Sequence, residues 1–176
     1  MSKNCSLAET GELLKAAKKL VIVSHVSPDG DTLGSSLALM HALCMLGKEV
    51  IMNVDDDIST VYSFLPGIAE YRRFAPDESV DADLLVIVDA SSADRAGNAL
   101  EVVKSPAVLN IDHHKTNTQF ADYLYLDSDA AEQLKSFTAC CWKWASNLPG
   151  TSQPVFTKVY IQIPVRSNTQ IRPQTH

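Results

Sequence analysis

The sequence lacks the segments that mark membrane-spanning, secreted and disulfide-linked proteins. Its longest apolar runs, such as Leu84 to Val88, are far too short to cross a bilayer. The first ten residues, MSKNCSLAET, contain no apolar stretch of the kind that a secretory signal requires. The four cysteines form no C-x-x-C pair and suggest no disulfide framework. These absences predict a cytoplasmic protein that does not enter a membrane.

Positive charge is also scarce. The chain has 15 Lys and Arg against 21 Asp and Glu, a net charge of −6, so no global basic field attracts nucleic acid or an anionic membrane. Neither a P-loop nor a G-x-G-x-x-G segment is present, which excludes two common glycine-rich phosphate sites. A phosphate-containing substrate would therefore need local cations or metal ions.

Acidic residues are missing altogether from the end of the chain. All 21 lie between Glu9 and Glu132, whereas residues 133–176 contain five basic groups and half of the eight prolines. Ordinary usage would place roughly five acidic residues in a segment of that length. The break in composition predicts a domain over residues 1–132 and an aberrant, irregular tail over residues 133–176.

Short apolar runs alternate with helical patterns along the first part of the chain. The runs LVIVS and LLVIV have the length and continuous hydrophobicity of strands buried on both faces. We expect helices over 7–19, 32–46 and 92–100, and strands over 20–24, 50–53, 84–88, 107–111 and 122–126. Strands that alternate with helices predict an α/β fold with a doubly wound, mainly parallel sheet.

Aspartate and histidine residues follow three of the predicted strands. The first strand is followed by His25, Asp29 and Asp31, the LLVIV strand by Asp89, and the next strand by the sequence DHH at 112–114. In open α/β sheets, ligands bind outside the carboxyl ends of the strands. These segments are therefore expected to meet at one edge of the sheet.

A cluster of carboxylates and imidazoles of this kind predicts a metal site. Without cations the carboxylates would repel one another, and this mixture of oxygen and nitrogen ligands suits Mn²⁺, Mg²⁺, Fe²⁺ or Zn²⁺. The D-x-D spacing of Asp29 and Asp31 allows adjacent carboxylates to face two ions. Taken alone, each motif has a simpler explanation, because Asp also favours loops and helix caps, and Asp31 could cap the second helix.

Three segments carry a resemblance to a known family. SHVSPDGDTLGSSLAL, VDASSADR and IDHHKTNTQFADYLYLD are similar to the first three motifs of the DHH-family phosphoesterases. Within that family the combination of PDGD, GSS and DHHKTN most resembles the bacterial oligoribonucleases that also dephosphorylate 3′-phosphoadenosine 5′-phosphate, the nano-RNase A type. The resemblance covers about the first 130 residues.

The resemblance implies a role for each residue of the predicted cluster. One Mn²⁺ would be held by His25, Asp29 and Asp89, and a second by Asp31, Asp89 and His113, with Mg²⁺ as an alternative metal. His114 would contact the substrate phosphate, and Asp112 would orient the neighbouring histidine. Two such ions would activate water and stabilise an in-line displacement at phosphorus.

The implied substrates are short RNA oligonucleotides or 3′-phosphoadenosine 5′-phosphate. Whether the chain forms a homodimer is left open. Two alternatives remain: a non-catalytic fragment that binds metal or nucleotide, and an enzyme like the family-II inorganic pyrophosphatases, which match less well around the first motif. The family's fourth motif, an Asp in a D-T-G-like segment, is not found. We therefore expect a chain truncated after its third motif, with impaired catalysis.

The tail itself suggests how the fourth motif was lost. With free choice of synonymous codons, YIQIPVRSNTQIRPQT can be read two nucleotides later as HTDTGSFQYSNTTPDT. That string contains D-T-G. A shifted reading frame also explains the disappearance of acidic residues, whereas a natural polar tail does not, so we interpret residues 133–176 as frameshifted.

Overall fold

The computed structural model describes residues 2–127, and its principal feature is one parallel sheet. The strands are β1 Lys3–Asn4, β2 Lys19–Ser24, β3 Glu49–Asn53, β4 Tyr71–Arg72, β5 Val80–Asp81, β6 Leu84–Val88, β7 Val103–Lys104, β8 Val108–Asp112 and β9 Tyr123–Leu126. The α-helices are α1 Leu7–Ala16, α2 Gly30–Met45 and α3 Ala99–Val102. Seven strands form the main sheet in the order β1-β9-β8-β6-β2-β3-β4, and β5 pairs with β7.

The strand order confirms the predicted doubly wound architecture. The chain passes from β2 to β3 on one side, then returns to place β6 against the other side of β2 and continues outward through β8 and β9. The direction of winding therefore reverses between β2 and β6. In such sheets the crevice at the reversal, beyond the carboxyl ends of the strands, is where ligands bind.

The central strands are buried on both faces, as their continuous hydrophobicity predicts. Alternate residues of β6 enter two different cores: Val86 packs with Leu33 and Leu37 of α2, whereas Ile87 packs with Val21 and Ala99 on the opposite face. Side chains of a strand alternate between faces, so an apolar run of five residues fills both cores at once. The predicted strand Leu84–Val88 is confirmed at both ends.

The first helix has the predicted start but an earlier end. Ser6 and Glu9 form the capping box, in which each side chain accepts from the backbone N–H of the other residue. The predicted extension to residue 19 is wrong, because the helix stops at Ala16 and β2 begins at Lys19. The Asp83 carboxylate accepts hydrogen bonds from the backbone amides of Lys18 and Lys19, both at 2.9 Å, and holds this segment extended.

The second helix begins two residues earlier than predicted. Asp29, rather than Asp31, is the N-cap, and its Oδ1 accepts from the amides of Asp31 at 2.9 Å and Thr32 at 3.1 Å. Asp31 lies in the first turn, where its negative charge suits the positive end of the helix dipole. At the other end, Gly47 has a φ of 72°, as its predicted position just past the helix requires.

The segment after β6 differs from the single short helix that was predicted. It forms a 3₁₀ turn at Ala93–Ala96, then breaks at Gly97 before α3, and the Ser92 side chain makes no capping hydrogen bond. The break is imposed from another part of the fold, because the Asp55 carboxylate accepts from the Asn98 amide at 2.6 Å. A Cβ at Gly97 would collide with that carboxylate, so only glycine fits there.

Among residues 2–127 no helix is long and apolar enough to span a membrane. The predicted boundary at residue 132 and the tail over residues 133–176 lie outside the described residues, and both stay predictions.

Candidate metal centre

The predicted cluster lies at the carboxyl ends of three adjacent strands. Asp89 follows β6 directly and adopts a left-handed φ of 61°, which Asp tolerates better than most residues. Its amide donates to the Ile111 carbonyl at 2.8 Å, which fixes the turn against β8. The Asp89 side chain is thereby placed between the residues that follow β2 and those that follow β8.

One group of possible ligands joins the β2 and β6 loops. The Nε2 atom of His25 lies 3.7 Å from Oδ2 of Asp89 and 3.9 Å from Oδ1 of Asp29. His25 and Asp89 are buried and Asp29 is exposed, and one potential ligand atom from each lies within 4.8 Å of the others. This is the set that the resemblance assigns to the first ion.

A second group shares Asp89 and includes the DHH segment. Oδ1 of Asp89 lies 3.0 Å from Nε2 of His113 and 3.7 Å from Nδ1 of His114. Asp112 completes the group, in which the ligand atoms again lie within 4.8 Å of one another. Asp31, which the resemblance assigns to the second ion, belongs to neither group. It nevertheless lies close enough for its negative charge to raise the pKa of Asp89.

The chemistry of Asp89 fits a bound cation. Its buried Oδ1 accepts no hydrogen bond from any residue between 2 and 127, although the ring of His113 is 3.0 Å away. A buried carboxylate oxygen without a donor is costly unless a cation compensates it. Nearby oxygen and imidazole nitrogen atoms are ligands that Mn²⁺, Mg²⁺ and Zn²⁺ accept, so the residues present suit a divalent metal.

Burial also shifts the pKa values of Asp89 and His25. Desolvation and, to a smaller extent, the negative charge of Asp29 together raise the pKa of Asp89 from 3.8 to about 7. Desolvation lowers the pKa of His25, so the ring is neutral at physiological pH, as a metal ligand must be. In the metal-free protein the ionised Asp89 carboxylate is therefore a source of instability.

The matches to known proteins agree with this geometry. The family model described as DHH family, N-terminal domain, matches residues 19–157. The chain belongs to the DHH family. The matched range runs past residue 132, and the boundary placed there stays a prediction.

Curated relatives in this family include bifunctional oligoribonuclease and PAP phosphatase NrnA proteins. The protein from Thermus thermophilus is 36% identical over 121 residues, which cover 68% of this chain and 36% of the relative. The protein from Mycoplasma pneumoniae is 30% identical over 171 residues, covering 93% of this chain and 50% of the relative. The chain thus spans between about a third and half of the length of these relatives. The resemblance predicted from the three motifs is confirmed.

A solved structure supports the fold of this DHH domain. The crystal structure of an exopolyphosphatase-related protein from Bacteroides fragilis is 27% identical, with a TM-score of 0.67. The match covers 77% of this chain and 43% of that chain.

A hydrogen-bond network behind the DHH segment was not predicted. The Asp112 side chain is fully buried, and its Oδ1 accepts from the amide of His113 at 2.8 Å and from Nδ1 of His114 at 2.6 Å. Its Oδ2 accepts from Nδ2 of Asn117 at 2.6 Å, and Asn117 also donates to Oδ1 of Asn110 at 2.7 Å. Asn117 is the last residue of the DHHKTN segment, so the motif contained this information, but nothing local indicated its partners.

Two aspartates of the run Asp55–Asp57 accept hydrogen bonds from backbone amides in the loops of the site. Oδ2 of Asp56 accepts from the Ser27 amide at 2.7 Å, within the loop that connects β2 to α2. Asp55 holds the Asn98 amide in the segment after β6. No local pattern distinguishes such aspartates from solvated ones, because their partners are distant in sequence.

Replacing Asp89 by Asn is expected to stabilise the metal-free protein. The folded carboxyl keeps its proton up to about pH 7, whereas the unfolded one loses it near 3.8, so the contribution of Asp89 to stability falls as the pH rises between these values. At pH 8 the free energy of unfolding of the variant should exceed that of wild type by about 4 kcal/mol, and this difference should shrink towards pH 4. Urea denaturation with a chelator from pH 5 to 8 measures it.

Asp94→Asn is the matched control, because Asp94 is exposed and follows the same strand. Its free energy of unfolding should stay close to that of wild type, because exposed substitutions have small effects. If the Asp89→Asn protein were less stable than wild type at pH 8, the conclusion that the buried, ionised Asp89 carboxylate destabilises the metal-free protein would be wrong.

Proposed function

We propose that this chain contributes the metal-binding domain of a phosphoesterase that hydrolyses short oligoribonucleotides or 3′-phosphoadenosine 5′-phosphate. The observation that supports it most directly is the position of Asp89, which lies between His25 on one side and His113 on the other at the winding reversal of the sheet. Two ligand groups that share one carboxylate are what two adjacent cations require.

The proposed ligands of the first cation are His25, Asp29 and Asp89, and the second would be held by Asp31, Asp89 and His113. Manganese is the proposed metal, with magnesium as the alternative. When bound, the metal ions supply positive charge that attracts a phosphate group and lower the pKa of water.

The remaining residues of the site act on the substrate or on its ligands. His114 is the proposed phosphate-binding residue, and its side chain is 42% exposed, so a substrate can reach it. Asp112 accepts a hydrogen bond from Nδ1–H of His114 and so fixes the tautomer of the ring. With its proton on Nδ1, the neutral ring of His114 has a lone pair on Nε2. A phosphate group that contacts Nε2 must therefore donate a hydrogen bond through a protonated oxygen or transfer that proton to the ring.

Cytoplasmic action is part of the same proposal. Cys5 and Cys44 are both free thiols, as expected in a reducing compartment.

Hydrolysis assays on the full chain test this function. With Mn²⁺ we expect turnover of a dinucleotide or of 3′-phosphoadenosine 5′-phosphate that a chelator abolishes. His114→Gln should slow turnover by about 100-fold, because losing one positioned contact to the reacting phosphoryl group has an effect on this scale. His41→Gln is the control, since Nε2 of His41 lies 3.2 Å from the Pro66 carbonyl, away from the strand ends of the site.

Other outcomes identify the alternatives. Turnover of pyrophosphate but not of esters would favour a pyrophosphatase-like enzyme. Nucleotide binding without turnover of any substrate would favour a non-catalytic binding module.

A further inference from the structure

Arg95 links the two loops that supply the first ligand group. It lies in the 3₁₀ turn Ala93–Ala96 after β6, and its carbonyl accepts a hydrogen bond from the Val26 amide at 2.9 Å. Its half-buried side chain brings Nη2 to 2.8 Å from Nδ1 of His25. Arg95 therefore contacts the ring whose other nitrogen, Nε2, faces Asp29 and Asp89.

The two neighbours of Nδ1 cannot both form hydrogen bonds with it. The Val26 carbonyl, at 2.7 Å, can only accept, so it requires a proton on Nδ1. The guanidinium of Arg95 can only donate, so it requires a lone pair on Nδ1. A neutral imidazole satisfies one of them in each tautomer.

Cation binding decides between these tautomers. A cation bound at Nε2 of His25 needs the lone pair of that atom, so the proton must reside on Nδ1 and point to the Val26 carbonyl. The hydrogen bond from Arg95 to Nδ1 is then lost. A guanidinium that faces an N–H group is also repelled by it, so the side chain has to find another acceptor.

Within residues 2–127 no carboxylate forms an ion pair with Arg95. Arg72 pairs with Glu78 at 2.7 Å and Arg73 with Asp57 at 3.3 Å, but Arg95 has no carboxylate oxygen within 4.0 Å among these residues. Among these residues, therefore, Arg95 is a positively charged side chain that lies beside the metal site and forms no ion pair. A guanidinium in this state is suited to a phosphate group, whose oxygens match its fork of donors.

We propose that Arg95 is a phosphate-binding residue that contacts His25 in the metal-free protein and transfers its hydrogen bonds to a phosphoryl oxygen of the substrate once a cation binds. The proposal rests on the function proposed above and extends it, because it assigns a substrate contact to a residue that belongs to neither ligand group. It also couples metal binding to the creation of an anion site.

Arg95→Met removes the donor and keeps an apolar side chain of similar length. Calorimetry with Mn²⁺ alone should show binding about 10-fold tighter than wild type, because the competing hydrogen bond to Nδ1 is gone. Inorganic phosphate should bind the Mn²⁺-loaded variant at least about 10-fold more weakly, and Arg95→Lys should restore part of that affinity. A general loss of structure would weaken the binding of both ligands, whereas this role predicts tighter Mn²⁺ binding and weaker phosphate binding.

Arg73→Met is the matched control and should change neither affinity, because Arg73 is exposed and paired with Asp57. Nitrogen-15 NMR of His25 with and without Zn²⁺ adds a direct readout, since the proton should move to Nδ1 when the cation binds. Weaker metal binding in Arg95→Met, or unchanged phosphate affinity, overturns the proposal. If Arg95→Met shows both affinity changes but the wild-type protein hydrolyses no ester, the proposed function is overturned and the role of Arg95 stands.

Discussion

Asp89→Asn is expected to remove divalent-cation binding from both ligand groups at once. Asp89 is the residue that the groups share, since its Oδ2 faces His25 and its Oδ1 faces His113. The amide lacks the negative charge and offers one oxygen in place of two, so Mn²⁺ affinity should fall by more than the roughly 10–100-fold cost of losing an outer partner of a ligand. Calorimetry measures the affinity, and any phosphoesterase turnover should disappear with it.

The matched control is again Asp94→Asn, which should bind Mn²⁺ like wild type. Because the same Asp89→Asn variant is expected to be more stable without metal, weak binding cannot be attributed to unfolding. In wild type Mn²⁺ should raise the melting temperature, and in the variant it should not. Wild-type affinity in the variant would refute the central position given to Asp89.

Asp112→Asn is expected to reduce turnover by about 10–100-fold while the protein still folds. Both oxygens of the carboxylate accept hydrogen bonds, Oδ1 from His113 and His114 and Oδ2 from Asn117. An amide in this position has to place its NH₂ group against one of these donors. Either His114 loses the partner that fixes its ring, or Asn117 is left with an unsatisfied contact.

Asp122→Asn provides the comparison for this prediction. Oδ2 of Asp122 accepts from the Val108 amide at 2.8 Å, and an amide oxygen can make the same bond. That variant should keep the turnover of wild type under identical metal concentrations. If Asp112→Asn had no larger effect than Asp122→Asn, the proposed orienting role of Asp112 would be wrong.

The meeting of these Asp and His residues at one edge was predictable because they occur in short segments with a fixed place relative to strands. His25, Asp89 and the DHH segment each come directly after an apolar run. Parallel strands have their carboxyl ends at one edge, so local pattern and sheet direction together imply that these residues meet. The helix boundaries were less predictable, since Asp29 and Asp31 are both good caps and only the fold selects Asp29.

Contacts between distant segments could not be predicted in this way. Asp55 and Asp56 resemble a solvated acidic run, yet they bind the amides of Asn98 and Ser27. The contact of Arg95 with His25 crosses 70 positions in sequence. No periodicity or spacing encodes such a pair, because it depends on how the β2 and β6 loops fold above adjacent strands.

The sequence by itself determined the five longer strands, the order of the motifs and the chemical types at the strand ends, since hydrophobic runs and polar turns act over a few residues. Tertiary structure decided which strands are neighbours and therefore that Asp89 stands between two ligand groups. It also decided that the Asp89 carboxylate is buried, which raises its pKa to about 7. Burial and charge proximity are properties of the assembled sheet, because each depends on atoms contributed by several distant segments.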